Sequence, residues 1–109
     1  MNKDKLINFC LINNDAICDY PWTDNKYKNI PVIRNKRNKK WFALIFELDN
    51  ILYINLKCNP EDSWILQDQY SYITPAWHMN KKHWIKIEIQ KVPEDLLKTL
   101  INNSFNLIK

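Results

Sequence analysis

The sequence predicts an α+β single domain: an antiparallel β-sheet of about four strands with helices packed on one face, in the order α-β-β-β-α-β-α. Three observations carry this expectation. Four segments show apolar–polar alternation or short apolar runs of strand length, and three others space their apolar residues three and four apart. Turn and helix-start residues separate these segments at each change of period. The chain of 109 residues has room for one domain, and its 46% apolar and 13% aromatic content argues for a packed core rather than disorder.

The elements follow in order. Residues 3–13 place Leu6, Ile7, Cys10 and Leu11 at helical spacing, a first amphipathic helix. Residues 13–29, with Tyr20-Pro21-Trp22, read as irregular. Residues 30–34 and 40–48 are expected as strands, joined by Asn35-Lys36-Arg37-Asn38, since Asn tolerates the left-handed conformations such a turn needs. Trp41 to Leu48 is apolar on both faces, as in a central strand covered on both sides. Asp49-Asn50 makes the next turn, and residues 51–57 alternate: Leu52, Ile54 and Leu56 face one way, Tyr53, Asn55 and Lys57 the other.

Asn59-Pro60-Glu61-Asp62 starts a helix expected to reach about Tyr70: an Asn cap, proline at the first helical position and two acids against the helix dipole. Residues 71–83 form a long connection around Thr74-Pro75. Alternation returns over 84–90, with Ile85, Ile87 and Ile89 inward. Val92-Pro93-Glu94-Asp95 opens a last helix whose stripe is Leu97, Leu100, Ile101, Ser104, Phe105 and Ile108.

Composition excludes several classes of function. Glycine is absent, which removes phosphate loops and dinucleotide fingerprints, both of which need glycine where backbone approaches phosphate. The apolar runs are too short to span a membrane, and the N-terminus lacks the apolar stretch of a signal peptide. Cys10, Cys18 and Cys58, an odd count without close pairing, read as reduced core thiols, so a cytoplasmic location is expected. The net charge is +4, but it is unevenly placed: residues 25–46 hold Lys26, Lys28, Arg34, Lys36, Arg37, Lys39 and Lys40 without an acid. Such a block is the footprint of a polyanion binder, or of a hairpin kept soluble and unpaired by lysine.

No catalytic constellation stands out, and no enzyme, cofactor or metal site is expected. His78 and His83 would need further ligands, for which Cys58 is the sole helper. Cys58 or Ser63 with either histidine forms no recognisable nucleophilic motif. The segment His78-Met79-Asn80-Lys81-Lys82-His83-Trp84 is better suited to binding: lysines and amides hold phosphate oxygens, and aromatic faces stack on bases or sugars.

These residues also carry a resemblance. Ile54-Asn55-Leu56-Lys57-Cys58, then Pro60, Thr74-Pro75, the His78–Trp84 segment and Val92-Pro93, with Tyr20-Pro21-Trp22 and Trp41-Phe42-Ala43-Leu44 upstream, resemble the MmcQ/YjbR family over nearly the whole chain. The resemblance implies a CyaY/frataxin-like fold and a double-wing DNA-binding motif, with the basic hairpin as one wing and the region 78–86 as the second or its neighbour. The chain departs from the family's Gly-Tyr ahead of the histidine, where it has Ala76-Trp77; without glycine a modified turn is expected there.

The resulting expectation is a small DNA-binding protein that grips duplex with low sequence specificity. Its contacts are assigned to Arg34, Lys36, Arg37, Lys39 and Lys40 of the hairpin, and to Asn55, Lys57, His78, Asn80, Lys81, Lys82 and Lys86. A monomer is assumed. The alternative is a protein-interaction module using an exposed aromatic surface built from Trp22, Trp64, Trp77 or Trp84. Third comes an enzyme on a small anionic substrate, which would need a pocket holding His78 with Asn80 or Lys57.

Overall fold

A computed structural model describes residues 1–109. Three helices and six strands follow in the order α1 (Lys3–Cys10), β1 (Ala16–Asp19), β2 (Val32–Asn35), β3 (Trp41–Leu48), β4 (Ile51–Lys57), α2 (Pro60–Gln69), β5 (Ile73–Pro75), β6 (Trp84–Glu88) and α3 (Glu94–Leu107). The strands make one sheet, β1-β2-β3-β4-β6-β5, in which every neighbouring pair is antiparallel. α2 carries the chain over β6 to the far edge, so β4 and β5 run parallel with β6 between them.

The sheet thus has six strands rather than about four. β1 and β5 lie in segments that read as irregular and as connection, and they are the two edges. Each is three or four residues long, too short to show alternation, and β5 ends in Pro75, which an edge strand tolerates because its outward N–H needs no partner. α1 ends at Cys10 instead of residue 13, and β6 at Glu88 instead of 90.

Local chemistry accounts for the helix starts. The Asn2 and Asn59 side chains accept from the amides of Lys5 and Asp62, at 2.9 and 2.8 Å, and Pro60 occupies the first turn of α2. Asp49 and Asn50 both take positive φ, 52° and 65°, between the paired Leu48 and Ile51. That is the two-residue type I′ turn whose twist suits a hairpin. In the β2–β3 turn the left-handed residue is Lys39 (φ 64°) rather than an asparagine; Asn35 and Asn38 act through their side chains instead.

The helices cover one face. There Ile33, Phe42, Ile45, Ile54, Ile85 and Ile87 meet Leu6 and Cys10 of α1 and Leu97, Ile101 and Phe105 of α3 in one cluster. Phe42 packs edge-on to Phe105, with ring centroids 5.3 Å apart, and buried Ser104 donates its Oγ–H to the Phe42 carbonyl at 2.8 Å. Phe42 reaches this face through a bulge. Ile33 pairs with Ala43 and Arg34 with Trp41, leaving Phe42 without a partner on β2. The bulge turns Trp41 to the opposite face, where it meets Trp22 edge-on at 5.5 Å. On that second face Val32, Leu44 and Phe46 form a smaller cluster, covered by the segments 20–31 and 76–83 instead of by helices. No helix is long and apolar enough to cross a membrane.

Candidate nucleic-acid interface

One end of the sheet gathers seven of the sixteen basic residues: Lys36, Arg37, Lys39, Lys40, Lys57, Lys81 and Lys82. β2 runs into the turn 36–40, β4 ends at Lys57, and β6 begins at Trp84, which pairs with Lys57. The hairpin turn, Lys57 and the segment 80–83 therefore share that end, with the turn and the loop separated by the width of β4, about 10 Å.

The turn is held from beneath. Buried Asn35 accepts through Oδ1 from the Arg37 amide at 2.8 Å and the Asn38 amide at 3.4 Å. Asn38 accepts from the Lys40 amide at 2.9 Å and donates Nδ2–H to the Ile108 carbonyl at 2.6 Å, which ties the turn to the end of α3. Lys36, Arg37, Lys39 and Lys40 stand exposed on this anchored backbone. Arg37 lies 3.9 Å from Asp15, an exposed pair that screening weakens, while Lys36, Lys39 and Lys40 have no acidic partner.

On the loop side, exposed Lys81 donates to the Ala76 carbonyl at 2.7 Å, and the exposed Lys82 amide is capped by Asn80 Oδ1 at 2.9 Å. Half-buried Lys57 and Lys86 lie over the rings of Trp84 and Tyr53, 5.3 and 4.9 Å from the centroids. Lys86 belongs to the middle of the face, away from the basic end.

Two expected contact residues are otherwise engaged. Arg34 forms a half-buried ion pair with Asp19 on the neighbouring strand, so its charge is already met. Asn55 is fully buried (0% exposed) and uses both ends of its amide on one residue: Nδ2 donates to the Trp77 carbonyl at 2.7 Å, and Oδ1 accepts from the Trp77 amide at 3.2 Å. It fastens the 76–79 loop to the sheet and does not present itself to a ligand. Reading it as polar was right and reading it as exposed was wrong, because the loop that covers it lies twenty-two residues away in sequence.

That loop turns at His78. Ala76 is buried, Trp77 stacks on Phe46 at 4.4 Å and 25°, and His78 takes φ 53° and stands exposed. Histidine is among the non-glycine residues enriched in this left-handed region. Opposite, the 20–31 segment brings Tyr27 edge-on to both Trp77 (6.2 Å) and His78 (6.1 Å). Between the two loops lies a cleft of about 250 Å³, with Trp22, Tyr27 and Ile30 on one wall, Trp77, His78 and Met79 on the other, and Leu44 at its floor. Tyr27 and Ile30 were missed by the sequence reading. The recurrence of aromatics at Tyr20, Trp22 and Tyr27 in a segment without helical or strand period was the available signal.

A second concavity runs between α2 and α3, past Ile65, Leu66, Leu96 and Leu107. Beside it Trp64 is 75% exposed, so this tryptophan lies at the surface as the interaction-module reading requires, while Trp84 is buried and Trp22 and Trp77 are half-buried. Cys58 borders this groove, and burial with Asp62 nearby pushes its thiol up to about 11, away from the thiolate that nucleophilic attack needs.

The fold and much of the sequence are shared with known proteins. The uncharacterized protein YyaQ of Bacillus subtilis is 39% identical over 102 residues, 84% of each chain. The uncharacterized protein YbdF of Escherichia coli O157:H7 is 46% identical over 70 residues, 63% of this chain and 57% of that one. A crystal structure of a Pseudomonas syringae protein superposes over 100% of both chains with a TM-score of 0.88 at 30% identity. A Deinococcus radiodurans protein superposes over 96% of this chain and 76% of its own with a TM-score of 0.78 at 27% identity. The family profile described as YjbR matches residues 14–107, and the chain belongs to the YjbR family.

Proposed function

We propose that the protein binds duplex DNA through its phosphates, with low sequence specificity, using the basic end of the sheet. The observation that carries this reading is the anchored hairpin with Lys36, Arg37, Lys39 and Lys40, at the same sheet end as Lys57, Lys81 and Lys82. Lysines without acidic partners, carried on two separate loops whose flanking strands β3 and β6 stand about 10 Å apart, suit two rows of phosphates flanking a groove. In this reading the hairpin and the 76–83 loop are the two wings, the fold is CyaY-like and the protein works in the cytoplasm. Arg34 and Asn55 support the surface and do not touch the ligand. None of the lysines and arginines assigned to the contact stands on a helix, which accords with weak base readout.

The test is fluorescence anisotropy of a labelled mixed-sequence duplex at low salt. Changing Lys36, Arg37, Lys39 and Lys40 together to Gln should abolish measurable binding while the fold, followed by circular dichroism, is kept. Unchanged binding by that variant overturns the reading.

One observation favours a second reading, a protein-interaction module. Exposed Ile65 and Leu107 line the groove between α2 and α3, and exposed Trp64 precedes Ile65 on α2, on the helical side, away from the aromatic cleft. The two readings use different surfaces, and Trp64→Ser separates them: it leaves DNA binding intact and abolishes partner capture.

A further inference from the structure

We infer that the cleft between the 20–31 and 76–83 loops receives a single unpaired base of a DNA strand whose phosphates the basic end holds. The inference rests on the DNA-binding reading and adds the form of DNA preferred. Size is the first argument. At about 250 Å³ the cleft falls below the range of pockets that bury drug-sized ligands, and one planar ring system fills it.

The lining is the second argument. Tyr27 and Trp77, half-buried and edge-on to each other at 6.2 Å, line the cleft with the ring surface that Phe46 and His78 leave uncovered, Leu44 gives an apolar floor, and Met79 adds a polarisable thioether. Every base has a π-face, so such a lining holds any base with little regard to sequence. The exposed imidazole of His78 lines the cleft, 4.3 Å from Trp77 between ring centroids, and adds a hydrogen-bonding group to the Tyr27 hydroxyl and the indole N–H groups of Trp22 and Trp77. It is aimed there by a left-handed backbone that a non-glycine residue adopts only at a cost, and such residues concentrate at binding sites.

Charge is the third argument. Exposed Lys26 and Lys28 flank the Tyr27 wall, and exposed Lys81 and Lys82 follow the Trp77 wall. A base entering between the walls therefore brings its own phosphates among four ammonium groups, with Asp24 the one acid of the 20–31 segment. A neutral apolar side chain of a protein partner would gain nothing from that rim. A base in the cleft has left its stack, which is easiest for a base without a pairing partner.

The experiment compares a labelled perfect duplex with the same duplex carrying one unpaired adenine, by anisotropy at fixed low salt, and adds adenosine monophosphate as a competitor. The protein should bind the bulged duplex about 5- to 150-fold more tightly than the perfect one. Tyr27→Leu should bring the bulged duplex down to the affinity of the perfect one and leave the latter unchanged. His78→Ala, at an exposed position, should lower the preference in the same direction and serves if Tyr27→Leu does not fold. Equal binding of both duplexes by the unaltered protein overturns the base pocket and leaves the phosphate grip standing. A preference that survives in both variants shows that the cleft is not its source. Competition by the mononucleotide at the affinity of the bulged duplex assigns the cleft to free nucleotides instead of a strand. Failure to bind either duplex removes the DNA reading itself, and the base pocket with it.

Discussion

Replacing Asn55 by leucine tests how the two loops are held over the sheet. The side chain is fully buried, and its amide makes both of its hydrogen bonds with the backbone of Trp77, at 2.7 and 3.2 Å. Leucine has the same branched side-chain shape and is somewhat larger, so no cavity is left, but the Trp77 carbonyl and amide lose their partners. Each lost bond costs about 1 kcal/mol net, and each backbone group left without a partner adds to that where water cannot reach it. We expect a total loss of about 2–3 kcal/mol, which for a domain of this size lowers Tm by roughly 10–20 °C. Urea unfolding followed by far-ultraviolet circular dichroism reads the loss as a lower midpoint at unchanged slope. Below the transition the folded variant should also lose its preference for the bulged duplex, since the Trp77 wall is no longer fixed. A loss below about 0.5 kcal/mol, with the preference kept, would refute the assignment of Asn55 as the fastener. Asn55→Asp adds a pH signature. Burial and the facing carbonyl raise the carboxyl pKa in the folded state, so stability is retained below the unfolded value and lost as pH rises through the folded one.

Three further outcomes are expected. Asn50→Gly should stabilise the protein by about 0.5–1 kcal/mol in thermal unfolding, because Asn50 sits at φ 65° in a type I′ turn where Asp-Gly is favoured. Burial pushes the Cys10 thiol from 9.0 up to about 12, so folding holds that proton and stability should fall as pH rises from about 9 towards 12. The loss from this thiol is about 1.4 kcal/mol by pH 10 and should vanish in a Cys10→Ala comparison of the pH slopes. Asn38→Ala leaves the charge unchanged but removes the 2.6 Å tie to the Ile108 carbonyl and the bond to the Lys40 amide. Hairpin amides should then exchange faster, and DNA affinity should fall about fivefold, a loss near 1 kcal/mol.

Much of the architecture was legible because local signals agreed with one another. The helix start at Asn59-Pro60 and the alternation of β4 were read correctly, and so was the placing of Tyr53, Asn55 and Lys57 on the face away from the helices. Edge strands β1 and β5 were not legible: in three or four residues a period of two cannot be told from chance. The bulge at Phe42 was hidden for a related reason, since a run apolar on both faces fits either register until the partner strand is known. Charge could be counted but not its engagement. Arg34 belonged to the basic block in sequence, yet the fold brings Asp19 of the neighbouring strand into an ion pair with it, diagonally across the register. The cleft itself needed two loops that the sequence keeps about fifty residues apart, Tyr27 and Trp77.

The grip on phosphate by the basic end is tested most directly by the salt dependence of duplex affinity. Four phosphate contacts give a slope of about −3.6 in log K against log salt, so raising salt from about 50 to 200 mM costs about a hundredfold. Changing Lys39 and Lys40 to Gln removes two of the contacts and should flatten the slope to about −1.8. A slope near zero, or one that the double substitution leaves unchanged, contradicts the account.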